Sequence, residues 1–91
     1  MRTKEYIIDT EDINRPEIEQ ALGYCGITGY TIIEQTGCYS KHLEKSISIV
    51  VIDDGIDYIE DRLYQFIELV KVLNKQDTIY VEIQDLDLVM V

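Results

Sequence analysis

The chain has 91 residues, 46% hydrophobic and 29% charged, and a formal net charge of −10. A chain of this size forms one domain, residues 1–91, burying roughly 60–65% of the surface its unfolded form exposes. Eighteen acids against eight Lys and Arg exclude a broad nucleic-acid surface, which needs clustered cations, and argue against an anionic membrane.

Arg2, Lys4 and Glu5 follow Met1 without an apolar leader core. "KEYIID", Lys4 to Asp9, predicts a first strand rich in Tyr and Ile. "TEDINRPEIEQALGYCG" predicts a helix with both end signals. Asn14 can cap it, Pro16 suits the first turn, and Glu17 and Glu19 suit the positive end of the dipole. Ile18, Ala21, Leu22 and Cys25 share one face, and Gly26 is the stop. "TGYTIIEQT", Thr28 to Thr36, predicts a second strand from its β-branched and aromatic residues. "GCYSKHLEKS", Gly37 to Ser46, reads as a glycine-led polar loop that collects Cys38, Tyr39, Lys41, His42 and Lys45. "SISIVVID", Ser46 to Asp53, predicts a third strand, with Ile47, Ile49 and Val51 on one face and Ser46, Ser48, Val50 and Ile52 on the other.

"DDGIDYIEDRLYQFIELVKVLNK" predicts the second helix. Ile56, Ile59, Leu63, Phe66, Ile67, Val70 and Leu73 recur at helical spacing. Acids crowd its first turns, and Lys71 and Lys75 its last, as the dipole favours. Those acids lack the D-x-[DN]-x-[DN]-G order of a calcium loop. "TIYVEI", Thr78 to Ile83, predicts a fourth strand, and "LDLVMV" continues it or adds a fifth. The order is β-α-β-β-α-β. This is an α+β, ferredoxin-like pattern, with two helices on one face of an antiparallel sheet. Tyr6, Tyr30, Ile32, Tyr80 and the alternating Ile and Val residues supply apolar side chains to both faces, so the second face is expected to pack against another subunit.

Cys25 and Cys38 form no C-x-x-C pair, and the lone His42 offers no zinc-finger spacing. Cys25 is expected to be a buried small hydrophobe. No apolar run approaches the roughly 18 residues of a membrane span. A reducing cytoplasm is the expected location. No Ser/His/Asp arrangement, carboxylate pair or G-x-x-x-x-G-K loop appears, so the chain is expected not to be an enzyme.

"ALGYCGITGYTIIEQTG", Ala21 to Gly37, resembles the PII signal-protein superfamily. There a first helix ends in A-L-x-x-x-G, followed by G-[IV]-x-G-[MY]-T, a strand, and a glycine that opens a ligand loop. Gly26, Ile27, Thr28, Gly29, Thr31, Glu34 and Gly37 fall in register. "SISIVVIDD" resembles the family's third strand, and "QDTIYVEIQDLDLVMV" the last strand of its PII-like branches. The resemblance implies a homotrimer whose sheets face a central axis, with an adenine nucleotide in each cleft between subunits. It matches the adenine-side contacts to Gly29 and Thr31, to Ser48 and Val50, and to the loop-opening Gly37. The phosphate side does not match. "LNKQDTIY" replaces the family's T-G-x-x-G-D-G-K loop, its lysine falls at Thr78, and two arginines fall at Val89 and Val91. A standard ATP and 2-oxoglutarate sensor is therefore not expected.

The leading expectation is a PII-like regulatory trimer that binds a lightly charged nucleotide or nucleotide-derived messenger, such as AMP or a cyclic nucleotide. It would relay that signal to a protein partner through the 37–46 loop, or sequester it. Thr36, Gly37 and Cys38 border the expected site. Tyr39 or His42 could stack on a base, and Lys41 and Lys45 could face one phosphate. No cofactor is expected beyond that ligand. One alternative is a metal-binding trimer like the CutA branch, drawing on His42 and Cys38. Another is an interaction trimer with no small ligand.

Overall fold

The computed structural model describes residues 2–39, 42–53 and 57–87, with backbone alone at 2, 37–39 and 42–44. The elements are β1 (Arg2–Glu11), α1 (Arg15–Tyr24), β2 (Thr31–Tyr39), β3 (His42–Ile52), α2 (Ile59–Asn74) and β4 (Tyr80–Asp87). The strands form one sheet in the order β2-β3-β1-β4, antiparallel at every junction. This is the ferredoxin-like β-α-β-β-α-β arrangement expected from the sequence.

Strict alternation along the two central strands divides the sheet into two faces. Tyr6, Ile8 and Thr10 of β1 pair with Val51, Ile49 and Ile47 of β3, and all six are buried. Ile18 and Leu22 of α1 and Leu63, Phe66 and Val70 of α2 pack on this face in a single core. Each such Ile, Leu, Val or Phe stabilises the fold by about 1.5–3 kcal/mol when fully buried. The expected helix faces are thus the ones that meet the sheet. Cys25 is buried among them. Ile56 lies outside the described residues, as do Leu88 to Val91, so β4 is seen to continue the predicted strand only as far as Asp87.

The helix ends differ from the simple cap reading. Gly26 stops α1 as expected, with φ of 75°. Its N–H bonds the Gly23 carbonyl at 3.0 Å, and the Ile27 N–H bonds the Leu22 carbonyl at 2.8 Å, the paired bonds of a Schellman stop. Asn14 stands at the N-terminal boundary of α1, but its backbone is left-handed and its side chain caps nothing. The Asn14 amide instead donates to the Leu73 carbonyl at 2.9 Å and to Asn74 Oδ1 at 3.2 Å. Asn74 in turn donates to Thr10 Oγ1 at 2.9 Å. Tertiary partners at the end of α2 outcompete the local cap, and they tie β1, α1 and α2 together.

The largest departure is at the expected loop. β2 begins only at Thr31 and runs on to Tyr39, and β3 begins at His42. Gly37 pairs with Glu44, Cys38 with Leu43 and Tyr39 with His42. Gly37 therefore stands inside a ladder and does not open the expected polar loop. Backbone pairing across the hairpin satisfies these polar groups, and the β-prone Thr36, Cys38 and Tyr39 favour it. Ser40 and Lys41 lie outside the described residues.

Candidate functional site

The expected site residues fall into two groups set by strand parity. Thr31 is directly opposite Val50, and Ser48 is opposite Ile33 on the same face. This face is turned away from the helices, because Val50 also pairs with Ile7 and Ser48 with Asp9, the outward-alternating residues of β1. Thr31, Ser48 and Val50 are thus brought together, as expected. Gly29 lies just before β2, exposed, with nothing within 4 Å of where a Cβ would be. Close approach of a further backbone or ligand is open there.

The second group lies elsewhere. Thr36 pairs with Lys45, both exposed, on the opposite parity from Thr31 and Val50. Lys45 is five residues from Val50, about 17 Å along the strand, and an odd step puts it on the other face. The side chains of Gly37, Cys38, Tyr39 and His42 lie outside the description, as does Lys41 altogether.

At the centre of the open face, Ser48 is 2% exposed. Its hydroxyl donates to Asp9 Oδ1. Around this pair lie Ile7 and Val50, both half-buried, with Ile33 at 46% and Ile52 at 40% exposure. A hydroxyl and a carboxylate amid an apolar strip can order a polar ligand whose rest is hydrophobic. Asp9 was not expected at the site. Its partner is 39 residues away in sequence, and only the register of β1 on β3 could have shown the pairing.

Two further polar groups sit outside that strip. The Tyr6 hydroxyl donates to Glu60 Oε1 at 3.3 Å, with Lys4 Nζ 3.9 Å from the same carboxylate. Burial first, then the charge and hydrogen bond of Glu60 and the charge of Asp53, hold the Tyr6 hydroxyl above its ordinary pKa. Arg62 reaches across to the end of α1, where its Nη1 donates to the Gly26 carbonyl at 3.4 Å. Burial also raises the Cys25 thiol, which removes it as a nucleophile near neutrality. Among the described residues no group of three or more His, Cys, Asp and Glu is placed to hold a metal ion, and none of their helices is long and apolar enough to cross a membrane.

No family model matches the chain, and no curated protein matches it. Solved structures do share its fold. CPII, a nitrogen regulatory PII-like protein from Thiomonas intermedia K12 bound to ADP, AMP and bicarbonate, is 18% identical with a TM-score of 0.65, over 100% of this chain and 97% of that one. A phage SAM lyase in complex with S-methyl-5′-thioadenosine is 19% identical with a TM-score of 0.69, over 90% of this chain and 80% of that one. The B. subtilis GlnK–ATP complex is 18% identical with a TM-score of 0.64, over 93% of this chain and 82% of that one. The resemblance read from the glycine and threonine string is thus borne out at the level of the fold. The expectation that the chain is not an enzyme does not stand. The same fold carries a lyase, whose apo structure also aligns with a TM-score of 0.70, so the lack of a familiar catalytic motif excludes no activity.

Proposed function

We propose that the chain binds a small molecule built on adenosine, in a seam between copies of itself. One observation carries this reading: three solved structures of the same fold hold an adenosine compound, whether ADP with AMP, ATP or S-methyl-5′-thioadenosine. What these ligands share is the nucleoside, not the phosphate. Thr31, Ser48 and Val50 supply the hydroxyl and apolar contacts that a base and ribose use. The strip of Ile7, Ile33, Val50 and Ile52 suits coverage by further copies, in a homotrimer. The ligand carries little negative charge, as AMP or a cyclic nucleotide does, and the protein relays it as a signal to a partner through the 37–46 hairpin or sequesters it. Titration calorimetry of the full chain against adenosine, AMP, cyclic AMP, ATP and S-methyl-5′-thioadenosine tests the reading, with sedimentation giving the number of copies. Saturable heat with at least one compound is expected. Silence with all five ends it.

A second reading, that the bound compound is also turned over, is favoured by the likeness to the phage SAM lyase. Incubation with S-adenosylmethionine and chromatography for S-methyl-5′-thioadenosine separates turnover from binding. An unchanged substrate pool removes this second reading and leaves the first.

A further inference from the structure

We infer that the site selects an adenosine carrying a positive group, or no charge, where a nucleotide carries its phosphate. The inference rests on the adenosine reading above and replaces the AMP-like ligand proposed there with one that bears no negative charge. It starts from the signs of the charges around Thr31, Ser48 and Val50. Val50 pairs with Ile7, and Ile7 is flanked on its own face by Glu5 and Asp9. Diagonal neighbours of this kind stand about 7–8 Å apart. Glu82 pairs with Ile7 from the other side, and Glu11 ends the same row opposite Ser46. Among its described side chains the open face thus presents four carboxylates and no Lys or Arg.

Among the described side chains, the cations that could offset them lie elsewhere. Arg15 lies 3.0 Å from both Asp12 and Glu34, Lys71 lies 3.3 Å from Glu68, and Lys4 is drawn to Glu60. Arg62 is spent on the backbone carbonyls of Asp57, Cys25 and Gly26. Lys75 ends α2 on the helix side of the sheet. Lys45 is exposed but on the opposite face, about 17 Å along β3 from Val50, beyond the reach of a monophosphate whose base lies at Thr31. A second copy seated on this face brings the same carboxylates with it. A phosphate in such a seam meets repulsion, whereas an ammonium or sulfonium centre is attracted, most strongly where water is excluded.

The test compares three ligands of one shape class on the full-length protein: adenosine, AMP, and 5′-amino-5′-deoxyadenosine, whose ammonium replaces the phosphate. At low ionic strength the amino compound is expected to bind about tenfold or more tighter than AMP, with adenosine between them, and added salt should narrow the gap. The double variant Glu5→Gln, Glu82→Gln keeps the strand pairing and should close the gap by about threefold or more. AMP binding as tightly as the amino compound overturns the inference and leaves the adenosine reading intact. So does a gap that the variant leaves unchanged. Binding of none of the three overturns the inference, and the adenosine reading falls with it only if cyclic AMP, ATP and S-methyl-5′-thioadenosine are silent as well.

Discussion

The two faces of the sheet share the same strands and differ in what covers them. On the helix side, Tyr6, Ile8, Ile47, Ile49 and Val51 are at most 3% exposed. One residue further along the same strands, Ile7 and Val50 are half-buried and Ile52 is 40% exposed. Over the paired positions the helix row is apolar except for Thr10, whereas the open row sets Ile7, Val50 and Ile52 among Glu5, Asp9, Glu11, Ser46 and Ser48. The helix face is a finished interior. The open face combines apolar strips with charge, as a surface does when it must both meet another copy and leave room for a polar ligand.

The largest expected effect comes from breaking the finished face. Phe66 is fully buried at the centre of α2, so Phe66→Ala removes a ring that the surrounding Ile and Val residues cannot replace. Unfolding in urea should show a loss of about 3–5 kcal/mol, a large part of what a domain this small possesses. A loss under 1 kcal/mol would mean that the core is less tightly packed than its burial indicates.

A smaller effect is expected where the two helices are joined. Gly26 holds a left-handed backbone at φ 75°, and a Cβ there would stand 1.8 Å from Arg62 Nη1. Gly26→Ala therefore strains the backbone by about 1–3 kcal/mol and also displaces the guanidinium from the end of α1. Thermal melts of Gly26→Ala, Arg62→Ala and the double variant separate the two terms. If the side-chain clash contributes, the double variant should be more stable than the sum of the single losses allows.

Much of this architecture was legible in the sequence, for local reasons. Alternation in "SISIVVID" and helical spacing from Ile59 to Leu73 depend only on neighbours, and the structure buries Ile47, Ile49, Val51, Ile59, Leu63, Phe66 and Val70 and half-buries Ile67 and Leu73. What was not legible depends on partners far along the chain. Gly37 and Ser40 have the composition of a loop, yet Gly37 is fixed in a ladder by Glu44. Asn14 has the residue type of a cap, yet its amide turns to Asn74, 60 residues away. Asp9 gains meaning only once β1 is set against Ser48. At the candidate site, Thr31, Ser48 and Val50 were legible because hairpin pairing brings them together, whereas the separation of Lys45 from them follows from a count of residues along one strand.

Alkaline pH sharpens the comparison more gently. Burial raises Tyr6, Cys25 and Tyr30, with Glu60 adding to the first and Glu19 to the last. The folded state therefore keeps these protons longer than the unfolded state. Their contribution is full below the unfolded values and is lost as pH rises through the folded ones, so stability should fall from about pH 9 upward. Tyr6→Phe should flatten that decline above about pH 10, read as urea midpoints across pH. An unchanged slope would mean that the Tyr6 hydroxyl titrates alike in both states.

The smallest expected change in the stability of a single subunit comes from the open face, and it carries the most information. Ile33 and Ile52 are already 46% and 40% exposed, so Ile33→Ser with Ile52→Ser removes little buried surface from one subunit, within about 1 kcal/mol. The same pair lies on the strip through which copies are proposed to meet. If they meet there, the melting temperature of the natural chain rises with protein concentration, because association stabilises the folded form by mass action. That dependence should vanish in the double variant, whose sedimentation should fall to that of one subunit. A variant that stays assembled, with its concentration dependence intact, would place the contact between copies on another surface, leaving the open face to be explained by its ligand alone.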